Sequence, residues 1–288
     1  AIARGVIVGP RMFVATRAMA PTGLYPLLGY SWELQVPEGV QIVDGPENIR
    51  KAVREEAKYG ADWIKFYADR KYYATGDAKR PLRSWVNFTK PEMEAIVSEA
   101  HRLGKKVAAH AMGWDGIDAA LTAGVDSIEH GDGFTEDLLA RAAKQGAYWC
   151  PTLYVGVWVA PGRGGFWPAM VEMSRKAIGL GMKHGVRIAF GTDAGGFPWT
   201  ENEAKEFPLM VKGGMSPMQA IKAATSVAGA LLDPICPPQM ACPGSEVGAI
   251  EKGKHADLIA VDADPLQDVT VLQRVFFVMK DGEVLKTR

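Results

Sequence analysis

The chain has 288 residues, of which 48% are hydrophobic and 23% are charged. This composition is typical of a globular protein with one large domain or two smaller ones. Its 33 basic and 33 acidic residues give a formal net charge of zero, and they form no basic stripe, which argues against a nucleic-acid partner.

The sequence contains no membrane or export signal. No apolar run approaches the roughly 20 residues of a membrane span, and no signal peptide is recognisable at the N-terminus. We therefore expect a soluble chain without membrane contact, in a compartment that the sequence leaves open. Because the chain starts at Ala1 inside AIARGVIVGP, without an initiating Met, we also expect it to be processed or truncated.

From residue 11 to about residue 230, short β-rich runs alternate with longer helical patterns. Helical patterns lie near 47–59, 89–103, 115–123, 135–145, 167–185, 201–214 and 216–232. Thr89 and Glu92 have the spacing of a capping box, and Ser216 with Pro217 marks a further helix start. The predicted strands are RMFVAT (11–16), DWIKFY (62–67), KVAAH (106–110), VDSIEH (125–130), YWCPTLYV (148–155) and RIAFGT (187–192).

This alternation predicts an α/β fold with a parallel sheet, because the strands are almost continuously apolar. A (β/α)8 TIM-type barrel is the leading geometry, and a doubly wound open sheet is the alternative. A full barrel has eight strands, so six visible strands would be strands 3 to 8, with the first two expected before Ala1. We predict a barrel domain over 1–232.

After residue 232 the pattern changes to short antiparallel strands. We predict a connecting loop and a small β-sandwich portion over 233–288, with Asp281 and Gly282 at a hairpin turn. The loop contains CPPQMAC, in which Cys236 and Cys242 could close a small ring. Three cysteines are too few for a disulfide scaffold, and the sequence does not decide whether Cys236 and Cys242 form a disulfide.

Four polar residues lie at or near the C-terminal ends of predicted strands: Lys65, His110, His130 and Asp193. In a parallel barrel these ends share the face that carries the active site. Two imidazoles and a carboxylate are suitable ligands for Zn²⁺ or a similar ion. Each residue also has a structural interpretation, as a hydrogen-bonded histidine, a turn former or a snorkelling lysine. Lys65 needs a special explanation, because an unpaired lysine between Ile64 and Phe66 would be desolvated.

Other site types receive little support. His101, His184 and His255 lie on a charged helix, at a helix end and in a turn, and we interpret them as structural. The chain has no glycine-rich phosphate loop after a strand and no GxSxG motif. These absences argue against nucleotide binding and against serine hydrolysis.

Several stretches resemble the amidohydrolase superfamily, and in particular the branch of imidazolonepropionase-like enzymes, Xaa-Pro dipeptidases (prolidases) and related carboxypeptidases. The resemblance extends over about 1–288, and its middle and C-terminal motifs are the most specific. The stretches are WIKFY, KKVAAHAMGWDGIDAALTAGVDSIEHG, CPTL, FGTDAGG, GMSPMQAIKAAT and GAIEKGKHADLIAVDADPLQDV.

The resemblance implies a binuclear metal site. Lys65 matches the lysine that CO₂ converts to a carbamate bridging two divalent ions, for which we expect Zn²⁺. His110 and His130 match the ligands of the second metal, and Asp193 matches the aspartate that binds the first metal and shuttles a proton. The family's His-x-His pair is absent from this sequence, and by the resemblance it would lie upstream of Ala1.

Such a site predicts hydrolysis of an amide or dipeptide-like C–N bond by a metal-activated hydroxide, with Asp193 passing the proton to the leaving nitrogen. We expect Tyr67, Arg70 and Tyr154 to contact the substrate, with Tyr72 and Tyr73 as further candidates for holding its carboxylate at the mouth of the site. Trp114 and Trp199 could form walls of the pocket. A homo-oligomer acting on a small-molecule or dipeptide-like substrate is expected. Two alternatives stay open: a mononuclear deaminase or cyclic-amide hydrolase with an unmodified Lys65, and a non-catalytic barrel fragment.

Overall fold

The computed structural model describes residues 1–25, 30–31, 33–235 and 245–288, and these form two compact units. The N-terminal unit comprises 13–149 with 234–235, and the C-terminal unit comprises 1–12, 150–233 and 245–288. Cys236 and Cys242 lie outside the described residues, and so does the disulfide considered for them. Over the described ranges, no helix combines the length and the apolar character that crossing a bilayer requires.

The N-terminal unit alternates strands and helices, with one antiparallel ribbon inserted. Its elements are β1 (Met19–Ala20), β2 (Gln41–Ile42), α1 (Pro46–Lys58), β3 (Trp63–Tyr67), β4 (Asp69–Ala74), β5 (Leu82–Val86), α2 (Lys90–Arg102), β6 (Lys106–Ala111), α3 (Trp114–Ala123), β7 (Ser127–His130) and α4 (Glu136–Gln145), followed by β8 (Tyr148–Cys150), which ends at the boundary of the unit.

Five strands of this unit are parallel neighbours in the order β2-β1-β3-β6-β7, and β8 follows β7 in the same sheet. Alternate residues of β3 and β6 are fully buried, among them Ile64, Phe66, Val107 and Ala109. The predicted capping box at Thr89 is present and starts α2. Because this sheet is parallel, the C-terminal ends of β3, β6 and β7 lie at one edge, where the candidate residues are found.

Three of the six predicted strands are confirmed closely, those at 62–67, 106–110 and 125–130. The strand predicted at 11–16 is wrong: this segment is irregular, and the first strand is β1. Thr16 has a φ of 53°, which breaks an extended chain, and its hydroxyl bonds Glu56. The ribbon of β4 and β5 was not predicted as strands at all.

The C-terminal unit contains mainly helices and one small sheet. Its elements are α5 (Leu153–Arg163), α6 (Trp167–Lys183), β9 (Arg187–Ile188), α7 (Glu206–Lys212), α8 (Pro217–Lys222), α9 (Ala228–Leu232), β10 (Leu258–Ala260), β11 (Phe277–Lys280) and β12 (Glu283–Lys286).

Two predicted strands that end in this unit are too long. The run 148–155 stops at Cys150, because Thr152 has a φ of 47° and starts α5. The run 187–192 stops at Ile188, and the backbone N–H of Phe190 donates instead to the carbonyl of Ala223.

The small C-terminal sheet is antiparallel, in the order β10-β11-β12. Asp281 and Gly282 have φ values of 51° and 83°, as the predicted tight hairpin requires. The predicted α/β class, with parallel strands, intervening helices and a small C-terminal β portion, is confirmed. The division of the chain at residue 232 stays a prediction.

Candidate active site

One face of the parallel sheet carries polar side chains near the C-terminal ends of β3 and β6. In the strand register, Lys65 lies beside Ala108, and Tyr67 lies beside His110, which in turn lies beside Glu129. Successive side chains of a strand point to opposite faces. Lys65, Tyr67, His110 and Glu129 therefore share the face opposite to Ile64 and Phe66. Glu129, whose carboxylate accepts a hydrogen bond from Ser127, was not among the predicted site residues.

His130 reaches His110 through an unusual backbone conformation. Strict alternation after Glu129 would turn His130 to the opposite face, but its φ is 72°, in the left-handed region. Its ring lies 4.6 Å from the ring of His110, centroid to centroid, at an interplanar angle of 69°. The indole N–H of Trp149 donates to the carbonyl of His130 over 2.7 Å and holds this bend. Two predicted ligands from neighbouring strands are thereby brought together.

Both imidazoles are neutral at physiological pH. Burial lowers the pKa of His110 well below its usual value, and the charges of Lys65 and Arg70, together with that of His130 whenever its ring is protonated, lower it further. Burial, and then the charge of Lys65, lowers the pKa of His130 to about 3. A neutral imidazole keeps a nitrogen lone pair for a metal ion, so this is the form in which histidine acts as a ligand.

The residues of the N-terminal unit fit part of a metal site. Within the described ranges, no three His, Cys, Asp or Glu side chains are grouped closely enough to hold an ion by themselves. His110 and His130 supply two nitrogen donors, and the charge of Lys65 acts on both rings. With Lys65 as a third ligand, these residues could hold a cation at this edge of the sheet.

The ribbon of β4 and β5 brings two groups to His110 that the sequence did not indicate as its partners. The Tyr72 hydroxyl lies 2.6 Å from His110 Nε2, and Asp69 Oδ1 lies 3.8 Å from the same nitrogen. Because His110 is neutral, its contact with Asp69 is not an ion pair. The turn residues TGD between DRKYY and LRSW are the sequence signal that would have predicted this hairpin.

Asp69 is fully buried and joins the ribbon to the segment after β6. Its carboxylate accepts the backbone N–H groups of Met112 at 3.1 Å and Gly113 at 2.9 Å. Burial raises its pKa to about 7, although the hydroxyl of Ser84 and these two amides oppose the rise. A Cβ on Gly116 of α3 would lie 2.2 Å from Asp69 Oδ2, so this position requires glycine.

Arg70 and Tyr67, both predicted to contact substrate, lie together near His110. The guanidinium carbon of Arg70 lies 4.4 Å from the centroid of the Tyr25 ring and 5.5 Å from that of Tyr67. The ring of Tyr67 is 4.8 Å from that of His110. No carboxylate of the described residues forms an ion pair with Arg70. A guanidinium held against aromatic rings in this way remains available to an anionic ligand.

Asp193 and Tyr154 belong to the C-terminal unit. Asp193 is exposed in the loop after β9 with a φ of 56°, and its carbonyl accepts the N–H of Gly196 at 2.9 Å. The Tyr154 hydroxyl donates to Glu201 over 2.8 Å and accepts from the Lys205 ammonium at 3.0 Å. The predicted substrate contact of Tyr154 therefore involves a hydroxyl that already has two partners.

His101 and His255 have the hydrogen-bond partners expected of structural residues. His101 bonds Asp126 at 2.8 Å, and His255 bonds Asp281 at 2.6 Å. The ring of Trp114 is covered by the Arg80 guanidinium at 3.9 Å. Trp199 is 77% exposed, which leaves it without the packing expected of a pocket wall.

The sequence of the chain matches those of known proteins. The sequence profile of the amidohydrolase family matches residues 1–287, and the chain belongs to this family. Among curated proteins it is 32% identical over 314 residues to ochratoxinase of Aspergillus niger, covering 99% of this chain. The chain spans 62% of the length of that relative.

Solved structures show the same fold. A Xaa-Pro dipeptidase with methionine bound in its active site is 34% identical, with a TM-score of 0.81, over 99% of this chain and 70% of the other. A prolidase complexed with N-methylphosphonate-L-proline is 27% identical, with a TM-score of 0.83, over 100% and 72% of the two chains. The family resemblance of the motifs is thereby confirmed.

Proposed function

We propose that the protein is a metal-dependent amidohydrolase that cleaves an amide or dipeptide-like C–N bond in a substrate that carries a free carboxylate. The observation that carries this proposal is the pair of neutral imidazoles of His110, which is buried, and His130, which is half-buried, with ring centroids 4.6 Å apart, in a chain of the amidohydrolase family. The names of the ochratoxinase, Xaa-Pro dipeptidase and prolidase relatives support the choice of bond.

The proposed ligands in the N-terminal unit are His110, His130 and Lys65, the last as a CO₂-derived carbamate. Carbamylation would turn the half-buried Lys65 cation, whose charge acts on both imidazoles, into an anion with oxygen donors that can bind a metal ion. When bound, divalent cations, for which we propose two zinc ions, lower the pKa of a water molecule and polarise an amide carbonyl. Asp193 enters the proposal through its motif FGTDAGG, as the carboxylate that receives a proton and delivers it to the leaving nitrogen.

Arg70 and Tyr67 are proposed to bind the substrate's carboxylate. The arginine has no carboxylate partner among the described residues, and its position over the rings of Tyr25 and Tyr67 limits its freedom. A substrate carboxylate would supply the missing charge-assisted hydrogen bonds.

We further propose that the protein is a homo-oligomer, which light scattering after size-exclusion chromatography tests.

The direct test is hydrolysis by the purified zinc-loaded protein of N-acyl amino acids and dipeptides, compared with the same amides after esterification of the carboxylate. We expect cleavage of the free acids and weaker cleavage of the esters. A metal content near two ions per chain fits the binuclear form, whereas a content near one favours the mononuclear alternative. The absence of cleavage of every amide contradicts the proposal.

Replacing Lys65 by alanine is expected to lower hydrolysis by more than the roughly 10- to 100-fold typical of losing an outer partner of a metal site. The reason is that the variant loses a proposed metal ligand itself, and not only a residue that orients a ligand. Short carboxylic acids should restore part of the activity, because they can replace the carbamate oxygens. Lys71→Ala, at an exposed position of β4, is the control and should retain activity. Activity of the Lys65 variant equal to that of this control would exclude Lys65 as a ligand.

A further inference from the structure

A β-bulge in the ribbon turns two polar residues toward His110. Asp69 pairs with Val86 and Lys71 pairs with Trp85, so Arg70 is an extra residue in β4. Without a bulge, Asp69 and Tyr72 would face opposite sides of the strand, since side chains alternate. The extra residue brings both to the same side, where each lies near His110 Nε2. Bulges often re-aim side chains in this way near active sites.

The two oxygens near Nε2, the Tyr72 hydroxyl and Asp69 Oδ1, favour a hydrogen on that ring nitrogen of His110. Its hydroxyl oxygen is 2.6 Å from Nε2 and 3.5 Å from the backbone carbonyl of Asp69. The Asp69 carbonyl can only accept, so it offers the hydroxyl hydrogen a place away from the ring, and a hydroxyl that donates there accepts from Nε2–H. Asp69 Oδ1, 3.8 Å from Nε2, favours the same arrangement, because a nitrogen lone pair there would face a second oxygen.

We propose that Tyr72 is a positioning residue that holds His110 as the Nε2–H tautomer, so that Nδ1 is the nitrogen His110 offers to a divalent cation. Only the role toward the cation rests on the proposed function; the tautomer is a property of the chain itself. Outer partners that fix the tautomer of a ligating histidine commonly set metal affinity. Tyr72 would thus act through His110 and need not touch substrate.

The ribbon is itself held in place, which makes Tyr72 a fixed partner. Asp69 bonds Met112 and Gly113, just after the strand that carries His110. Arg83 of β5 forms two hydrogen bonds with Asp115 of α3, at 2.5 and 2.6 Å. The ribbon and the His110 segment are therefore joined on both sides of the Tyr72 contact.

The tautomer is measured by NMR on metal-free protein with ¹⁵N-labelled histidine at neutral pH. The chain has five histidines, and comparison with a His110→Gln sample assigns the ring. We expect a protonated Nε2 and an unprotonated Nδ1 in His110. A protonated Nδ1 would overturn the proposal, even if the protein never binds metal. This measurement needs no change at Tyr72.

The second measurement compares Tyr72→Phe with Tyr73→Phe. Tyr73 is the neighbouring residue of β4 and is 44% exposed, so its hydroxyl is a matched control. Zn²⁺ titration should show affinity about 10- to 100-fold lower for Tyr72→Phe and within about twofold of wild type for Tyr73→Phe. The NMR spectrum of metal-free Tyr72→Phe should show loss of the single tautomer. Equal affinities of the two variants, or an unchanged tautomer, would refute the role of Tyr72. Wild-type protein that binds no Zn²⁺ would refute instead the proposed function.

Discussion

Replacing Asp193 by asparagine is expected to lower kcat for amide hydrolysis by about 10²- to 10⁴-fold, the range typical of losing a group that transfers a proton in the rate-limiting step. The amide cannot accept and return the proton that the carboxylate is proposed to carry. The measurement is steady-state hydrolysis of an N-acyl amino acid over a range of pH.

Asparagine is the right replacement because of the backbone at this position. Asp193 has a φ of 56°, a conformation that Asn and Asp adopt far more readily than other residues with a side chain. The turn bond from Gly196 N–H to the Asp193 carbonyl, 2.9 Å long, does not involve the carboxylate. Folding should therefore be preserved, with a Tm close to that of wild type. Asp77→Asn, at an exposed position, is the control, and activity of the Asp193 variant near that of this control would remove Asp193 from the mechanism.

The sequence predicts the sheet of the N-terminal unit and its candidate ligands well, for a physical reason. The strands that carry Lys65, His110 and His130 are short apolar runs between helices with recognisable starts and ends, so local pattern and tertiary packing agree. The register of β3, β6 and β7 then places the polar residues along one face. Residues that are far apart in the sequence are brought together here, because the C-terminal ends of parallel strands lie at the same edge of the sheet.

The parts that could not be predicted depend on single backbone torsions and on distant contacts. Nothing in VDSIEH indicates that His130 leaves the strand with a φ of 72°, which is what brings its ring to His110. Asp69 looks like a loop residue in the sequence, yet it is fully buried because Met112 and Gly113, more than 40 residues away, supply its hydrogen bonds. Such burial is decided by tertiary packing, which local propensity does not record.

The helix that follows the strand at 148–150 shows a further effect of this kind. Thr152 adopts a φ of 47° and its side chain forms no hydrogen bond with the helix, so α5 lacks the usual cap. Its cap comes instead from Glu206 of α7, whose two carboxyl oxygens accept the N–H of Leu153 at 2.8 Å and that of Tyr154 at 2.6 Å. Glu206 is fully buried. The strand predicted over 148–155 failed because this remote acceptor favours a helix start at Leu153.

Removing the Glu206 carboxylate should therefore destabilise the C-terminal unit strongly. In Glu206→Ala, two buried N–H groups lose their acceptor, at a cost of about 1–3 kcal/mol each. Glu206→Gln keeps one acceptor oxygen and should lose less. Chemical denaturation measures the change, and hydrogen exchange of the Leu153 and Tyr154 amides locates it. Glu203→Gln, at an exposed position three residues earlier, is the control. Amide protection in Glu206→Ala equal to that in the control would show that Glu206 does not cap α5.

The dependence of this effect on pH has a definite sign. Burial raises the pKa of Glu206 to about 8 from a usual value of 4.5, against the opposing pull of the two amides. Between these pH values the folded chain keeps a proton that the unfolded chain has released, so the contribution of Glu206 is complete below about pH 4.5 and is lost as the pH rises through about 8. Glutamine does not titrate. The stability of wild type relative to Glu206→Gln should therefore be greatest near pH 4.5 and decline toward pH 8, and a constant difference over that range would show that the carboxylate is already ionised in the folded chain.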